Sequence, residues 1–109
     1  MTGRAEDLGR WSDPGLLVLS SLAGGERHGY AMVRDIEEMA GVHLGPGTLY
    51  GALARLEQLG LIEPLPAEGR RRPYRITPAG SQALRRQLTT IESVARTGLS
   101  RLHATGSAA

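Results

Sequence analysis

The stretch GPGTLYGALARLEQLG, Gly45–Gly60, limits what the rest of the chain can fold into. Leu49, Leu53 and Leu56 recur at helical spacing, with Ala52 beside them and Leu59 closing the stripe, so one face is built for burial. Pro46 suits a first helical position, where a missing N–H costs nothing. Gly60 stands where a left-handed residue ends a helix. Gly47, Tyr50, Gly51, Ala54, Arg55 and Gln58 fall on the opposite side. Alone, such a helix fits the core of any small domain. Its neighbours in the sequence narrow that choice.

Upstream, Ser12-Asp13-Pro14 is a helix start, with cap residues followed by Pro in the first turn. The first helix is expected from about Pro14 to Ala23, ending at Gly24-Gly25. Leu16, Leu17, Val18, Leu19 and Leu22 cover most of its circumference, which in a single 109-residue domain hints at a second subunit. A second helix is expected from about His28 to Ala40, with Gly29, Val33, Ile36 and Ala40 inward and Arg34, Asp35, Glu37 and Glu38 in water. The Gly-containing turn Gly41–Gly45 then leads into the central stretch. Helix, short turn and amphipathic helix is the helix-turn-helix pattern, which many small helical domains share.

Downstream the period changes. Leu61–Leu65 reads as a short strand that Pro64 confines to a sheet edge. Pro66–Gly69 is turn chemistry. Pro73–Ile76 alternates as a second strand, and the hairpin tip carries Arg70, Arg71 and Arg72. Thr77-Pro78 opens a last helix, with Gly80 weakening its first turn. Leu84, Leu88, Ile91, Ala95, Gly98 and Leu102 alternate spacings of four and three, a heptad-like seam that needs a surface to pack on.

Composition excludes several functions. All thirteen basic residues are Arg, and the formal net charge is only +2, so the placement of arginine matters more than its excess. The absence of Lys, with abundant Ala and Gly, reads as the composition of a GC-rich bacterial genome. There is no Cys, which removes disulfide, thiolate-metal and thiol-nucleophile chemistry. His28, His43 and His103 lack the spacing of a metal set on one element, so no metal or cofactor is expected. No nucleophile elbow, zinc-protease motif or phosphate-binding loop occurs, so the chain reads as no enzyme. No stretch is long and apolar enough for a membrane span, and a cytoplasmic protein with no membrane partner is the expectation.

His28-Gly29-Tyr30, Gly47-Thr48-Leu49-Tyr50 with Ala52-Leu53 and Leu56-Glu57, Gly60-Leu61-Ile62, and Tyr74-Arg75-Ile76-Thr77-Pro78-Ala79-Gly80 resemble the PadR family of bacterial transcriptional regulators. The resemblance runs through roughly Leu16–Leu88, and the short final helix is similar to the compact PadR subfamily. It implies a mainly helical winged helix-turn-helix with a small β-hairpin and a C-terminal dimerisation helix. On that pattern residues 1–11 form a flexible arm, 12–77 the DNA-binding domain, 78–103 the dimerisation helix and 104–109 a loose tail. It also implies a homodimer that represses nearby genes and is relieved by a small molecule or another signal. The chain departs from the family at Gly51, where Pro is common.

The DNA-binding residues expected are Gly47, Thr48, Tyr50, Gly51 and Arg55 on the reading helix and Arg70, Arg71 and Arg72 on the wing. Glycine near a helix start lets a backbone approach closely, and Thr and Tyr hydroxyls reach phosphate or base edges. Wing arginines lie along phosphates or enter a narrow minor groove. For Tyr50 the competing reading is an aromatic half-buried under the wing, and for the arginines a solvated charge run. His28 reads as a helix-start or phosphate-proximal residue. Leu16, Leu19, Leu84, Leu88, Ile91, Ala95 and Leu102 are the residues expected at a dimer interface. Trp11 packs there or helps line an effector pocket. Palindromic double-stranded DNA and a second copy are the partners expected, with a small-molecule effector in addition. The alternative is a winged-helix module for protein–protein contact without sequence-specific DNA binding.

Overall fold

The computed structural model describes residues 13–105. Trp11, Ser12, the expected arm 1–11 and the tail from 106 to 109 lie outside the described residues. The element order is α1 (Pro14–Leu22), β1 (Arg27–His28), α2 (Gly29–Ala40), α3 (Pro46–Gln58), β2 (Ile62–Pro64), β3 (Pro73–Ile76) and α4 (Pro78–Ala104). Helices and a small antiparallel sheet in this order make a winged helix-turn-helix with a long final helix.

The helix ends follow from local chemistry. Asp13 caps α1 by accepting the Leu16 N–H, and Pro14 occupies the first turn. Gly41 ends α2 in the left-handed conformation (φ 69°). Gly60 ends α3 the same way (φ 75°), with its N–H donating to the Glu57 carbonyl and that of Leu61 to the Leu56 carbonyl. That bond pair satisfies two carbonyls the helix end would leave open. Thr77 caps α4 by accepting the Gly80 N–H.

Helix α1 is the centre of the domain. Leu17, Val18, Leu19 and Leu22 are buried together with Met32 and Ile36 of α2, Leu49, Leu53 and Leu56 of α3, Leu44, Ile62, and Leu84 of α4. Its nearly all-round apolar surface is therefore covered within one chain by α2, α3, α4 and β3, and no second subunit is required to explain it. Leu19 and Leu84, expected at a dimer interface, belong to this core, while Leu16 is partly buried against it.

On α2 the inward residues are Gly29, Met32 and Ile36. Val33, expected inward, is partly buried against the core, whereas Ala40, also expected inward, is exposed. Asp35, expected in water, turns inward. The buried Ser21 hydroxyl donates to its Oδ2 at 2.7 Å, and Arg27 lies 3.8 Å from the same oxygen while its Nε donates to the Ser21 carbonyl. This network joins α1, β1 and α2.

The sheet has three strands in the order β1-β3-β2, not the two of a simple hairpin. Arg27 and His28 pair with Tyr74 and Pro73, and Ile62, Glu63 and Pro64 pair with Ile76, Arg75 and Tyr74. Strand β2 is an edge, as Pro64 requires. Beyond it the wing narrows to the two-residue turn Gly69-Arg70, closed by paired backbone bonds between Glu68 and Arg71. Helix α4 runs unbroken through Gly98 and includes His103 and Ala104, which were expected in or near a loose tail. Its 27 residues span about 40 Å, and they account for the 56 Å long axis of a molecule 29 and 23 Å across.

Candidate nucleic-acid interface

Helix α3 buries Leu49, Leu53 and Leu56 and leaves its opposite side in solvent. Gly47, Thr48, Gly51, Ala54, Arg55 and Gln58 are all exposed. Gly47 and Gly51 each have open space where a Cβ would stand. The outer face is thus nearly bare backbone over two turns, flanked by longer side chains. Gly51 does not interrupt the helix, because the residues around it are regular from Pro46 to Gln58.

Tyr50 is 55% exposed, yet it is not a free side chain. Its hydroxyl covers the first residue of α2, where a Cβ at Gly29 would stand 2.9 Å from it. It also faces β3. The Tyr74 phenol is held above its ordinary pKa, chiefly by burial and by the Glu57 carboxylate, with a smaller push from Tyr50 and an opposing pull from the Arg72 guanidinium. Tyr50 therefore bridges α3 and the start of α2.

The three wing arginines are exposed but differ in position. Arg70 is at the turn, and among the described residues it has no side-chain partner. Arg71 begins the returning limb, with Nη1 3.4 Å from the Nε2 of His28. Arg72 folds back and donates to the Leu65 carbonyl at 2.8 Å, bracing the two limbs of the wing. His28 itself is the N-cap of α2.

Two exposed residues were not among those expected to contact DNA. Tyr30 is 65% exposed at the start of α2, and the Arg34 guanidinium lies 5.9 Å from its ring centroid, within cation–π range. The spacing of four between them is readable in the sequence, where Arg34 reads only as part of a solvated face and Tyr30 only as part of the family motif. On the other flank of α3 a cleft of about 410 Å³ opens between α1, α3 and α4, lined by Leu16, Thr48, Arg55, Leu59, Leu61 and Leu84 among others. Among the described residues no cluster of His, Asp and Glu could hold a metal, and no helix is long and apolar enough to cross a membrane.

Residues 18–86 match the Transcriptional regulator PadR-like family. The chain belongs to this PadR-like family. It is 40% identical over 84 residues to the transcriptional regulator Rv3488 of Mycobacterium tuberculosis, covering 74% of this chain and 78% of that one. It is 53% identical over 78 residues to an uncharacterized 37.1 kDa protein in transposon TN4556 of Streptomyces fradiae. That match takes in 72% of this chain but only 23% of the transposon protein. Among solved structures, a transcriptional regulator from Clostridium thermocellum superposes with a TM-score of 0.71 at 27% identity, over 88% of this PadR-like chain and 94% of the other. Most of α1 and all of α2, α3 and the sheet with its wing fall inside the matched residues. The C-terminal two thirds of α4 falls outside them.

Proposed function

We propose that this PadR-like regulator is a homodimeric, sequence-specific repressor. The start of α3 enters the major groove, and the wing lies along the flanking backbone. The observation that carries this reading is the pairing of a nearly bare, exposed α3 face with an arginine-tipped wing in the same domain. Gly47 and Gly51 let the helix backbone approach the groove floor. Thr48, Tyr50 and Arg55 then reach phosphates or base edges from its flanks. Arg70 and Arg71 supply charge on the wing, and Arg72 shapes it as well as adding charge.

Dimerisation falls to α4. Beyond Ile91 every described residue of the helix is exposed, and Leu88, Val94, Leu99 and Leu102 present apolar surface to solvent. An apolar stripe on an overhanging helix is what a second copy covers. A two-fold dimer would read half-sites about 34–36 Å apart or a multiple of that. Relief of repression by a small molecule or another signal completes the reading. The α1–α3–α4 cleft supports it, because Thr48 and Arg55 form part of its wall.

A gel-shift titration with the protein's own promoter region, repeated over a salt series, tests this. Binding that prefers the promoter over random DNA and weakens steeply with salt is expected, with each phosphate-bound Arg contributing about 0.9 to the slope. Salt-insensitive binding, or none by a folded dimer, would leave a module for protein contact in its place.

A further inference from the structure

His28 makes two contacts that a single imidazole cannot make as an acceptor. Its Nδ1 accepts the Ala31 N–H at 3.4 Å and so caps α2. With that lone pair engaged, the proton of the neutral ring sits on Nε2. Nε2 in turn faces the Arg71 Nη1 at 3.4 Å, and a guanidinium only donates. Two donors confront each other with no acceptor between them. Among the described residues no carboxylate pairs with either side chain.

The fold enforces this meeting. His28 pairs with Pro73 across β1 and β3, and Arg71 lies two residues before Pro73, at the diagonal position that long side chains reach. The spot stands at the foot of the wing, next to Gly29, which Tyr50 covers from α3. Paired donors of this kind are completed by an anionic oxygen placed beside both.

We propose that His28 and Arg71 together grip one phosphodiester oxygen of the DNA backbone. This rests on the DNA-binding reading above. The imidazole then has two duties: Nδ1 holds the start of α2, and Nε2 donates to the same phosphate as Arg71. The contact fixes the wing relative to α2 when DNA is bound, and it acts on all sequences alike, because phosphate carries no base identity.

Two variants separate the duties. The amide oxygen of Asn falls near the position of Nδ1 and Asn is a strong cap, so His28→Asn keeps the cap and removes the Nε2 donor. The amide of Gln reaches the position of Nε2, so His28→Gln keeps the donor and loses the cap. His28→Asn is expected to keep the wild-type melting temperature and to bind operator and random DNA about tenfold more weakly. His28→Gln is expected to melt earlier while its folded form binds DNA nearly as the wild type does. Arg71→Ala should flatten the salt slope by about 0.9 for each bound subunit, and adding His28→Asn to it should weaken binding little further. Wild-type affinity in His28→Asn, or losses that multiply in the double variant, would overturn the shared contact. Displacement of DNA by inorganic phosphate at constant ionic strength, abolished in His28→Asn, would reassign the site to free phosphate. Failure of the wild type to bind any DNA would overturn the parent reading as well, and is a distinct result.

Discussion

Gly80 packs directly on the carbonyl oxygen of Leu61. A Cβ at position 80 would overlap that oxygen and press on Cγ1 of Ile76. The same carbonyl accepts the Thr77 N–H at 3.0 Å, and the Thr77 hydroxyl donates to the Gly60 carbonyl at 2.7 Å. The end of α3 and the start of α4 are thereby locked together. Gly80→Ala must push α4 off the domain or distort β2, at a cost of about 1–3 kcal/mol or more. A fall in melting temperature of about 4–8 °C per kcal/mol is expected in calorimetry. An unchanged melting temperature would mean that the close approach is absent in solution.

That contact was invisible in the sequence. Gly80 read as a weak point in a helix start, because propensity measures a residue against water and not against a carbonyl from another element. Strand β1 was missed for a related reason. Two residues, Arg27 and His28, cannot display alternation, and only pairing with β3 makes them a strand. Asp35 was placed in water by its spacing on α2, since the buried Ser21 that holds it belongs to α1. What was legible depended on local period and caps: Asp13, Thr77 and Gly60 marked helix ends, and Leu49, Leu53 and Leu56 marked the inner face of α3. For the interface, the wing arginines were legible as a run. Their separate positions were not, because those depend on Leu65 and His28 across the sheet.

Gly51 offers a test of the bare face of α3. It lies in mid-helix with open space around its missing side chain. Glycine there costs about 0.5–1 kcal/mol relative to alanine, so Gly51→Ala should raise the melting temperature by a few degrees. If this face enters the groove, Gly51→Glu should abolish DNA binding while the fold survives, because it sets a carboxylate against the phosphates. DNA binding by a folded Gly51→Glu at wild-type affinity would turn α3 away from the DNA.

The Tyr74 phenol gives a pH signature. Its folded pKa is raised above the ordinary 10.0, mainly by burial and then by Glu57. Folding therefore favours the neutral phenol, and the native state holds the proton more tightly than the unfolded chain. The stability this contributes is complete below about pH 10 and is lost as pH rises through the raised value. Urea midpoints measured from pH 8 to 11 should fall at the alkaline end, and the fall should be shallower in Tyr74→Phe. Equal alkaline slopes in the two proteins would show that Tyr74 is equally hydrated folded and unfolded.

The seam of α4 divides into two parts with opposite expected responses. Leu84 is 5% exposed and belongs to the core, whereas Leu88 is 41% exposed one turn further on. A charge at position 84 has no partner inside the domain and should unfold it. A charge at position 88 meets water in the isolated chain and is unpaired only when a second copy covers the helix. Leu88→Glu is therefore expected to keep the circular dichroism of the wild type and to sediment as a monomer. Its affinity for a two-half-site operator should fall far more than its affinity for a single half-site, because the second contact is no longer tethered to the first. A Leu88→Glu protein that still sediments as a dimer would move the interface off this stripe.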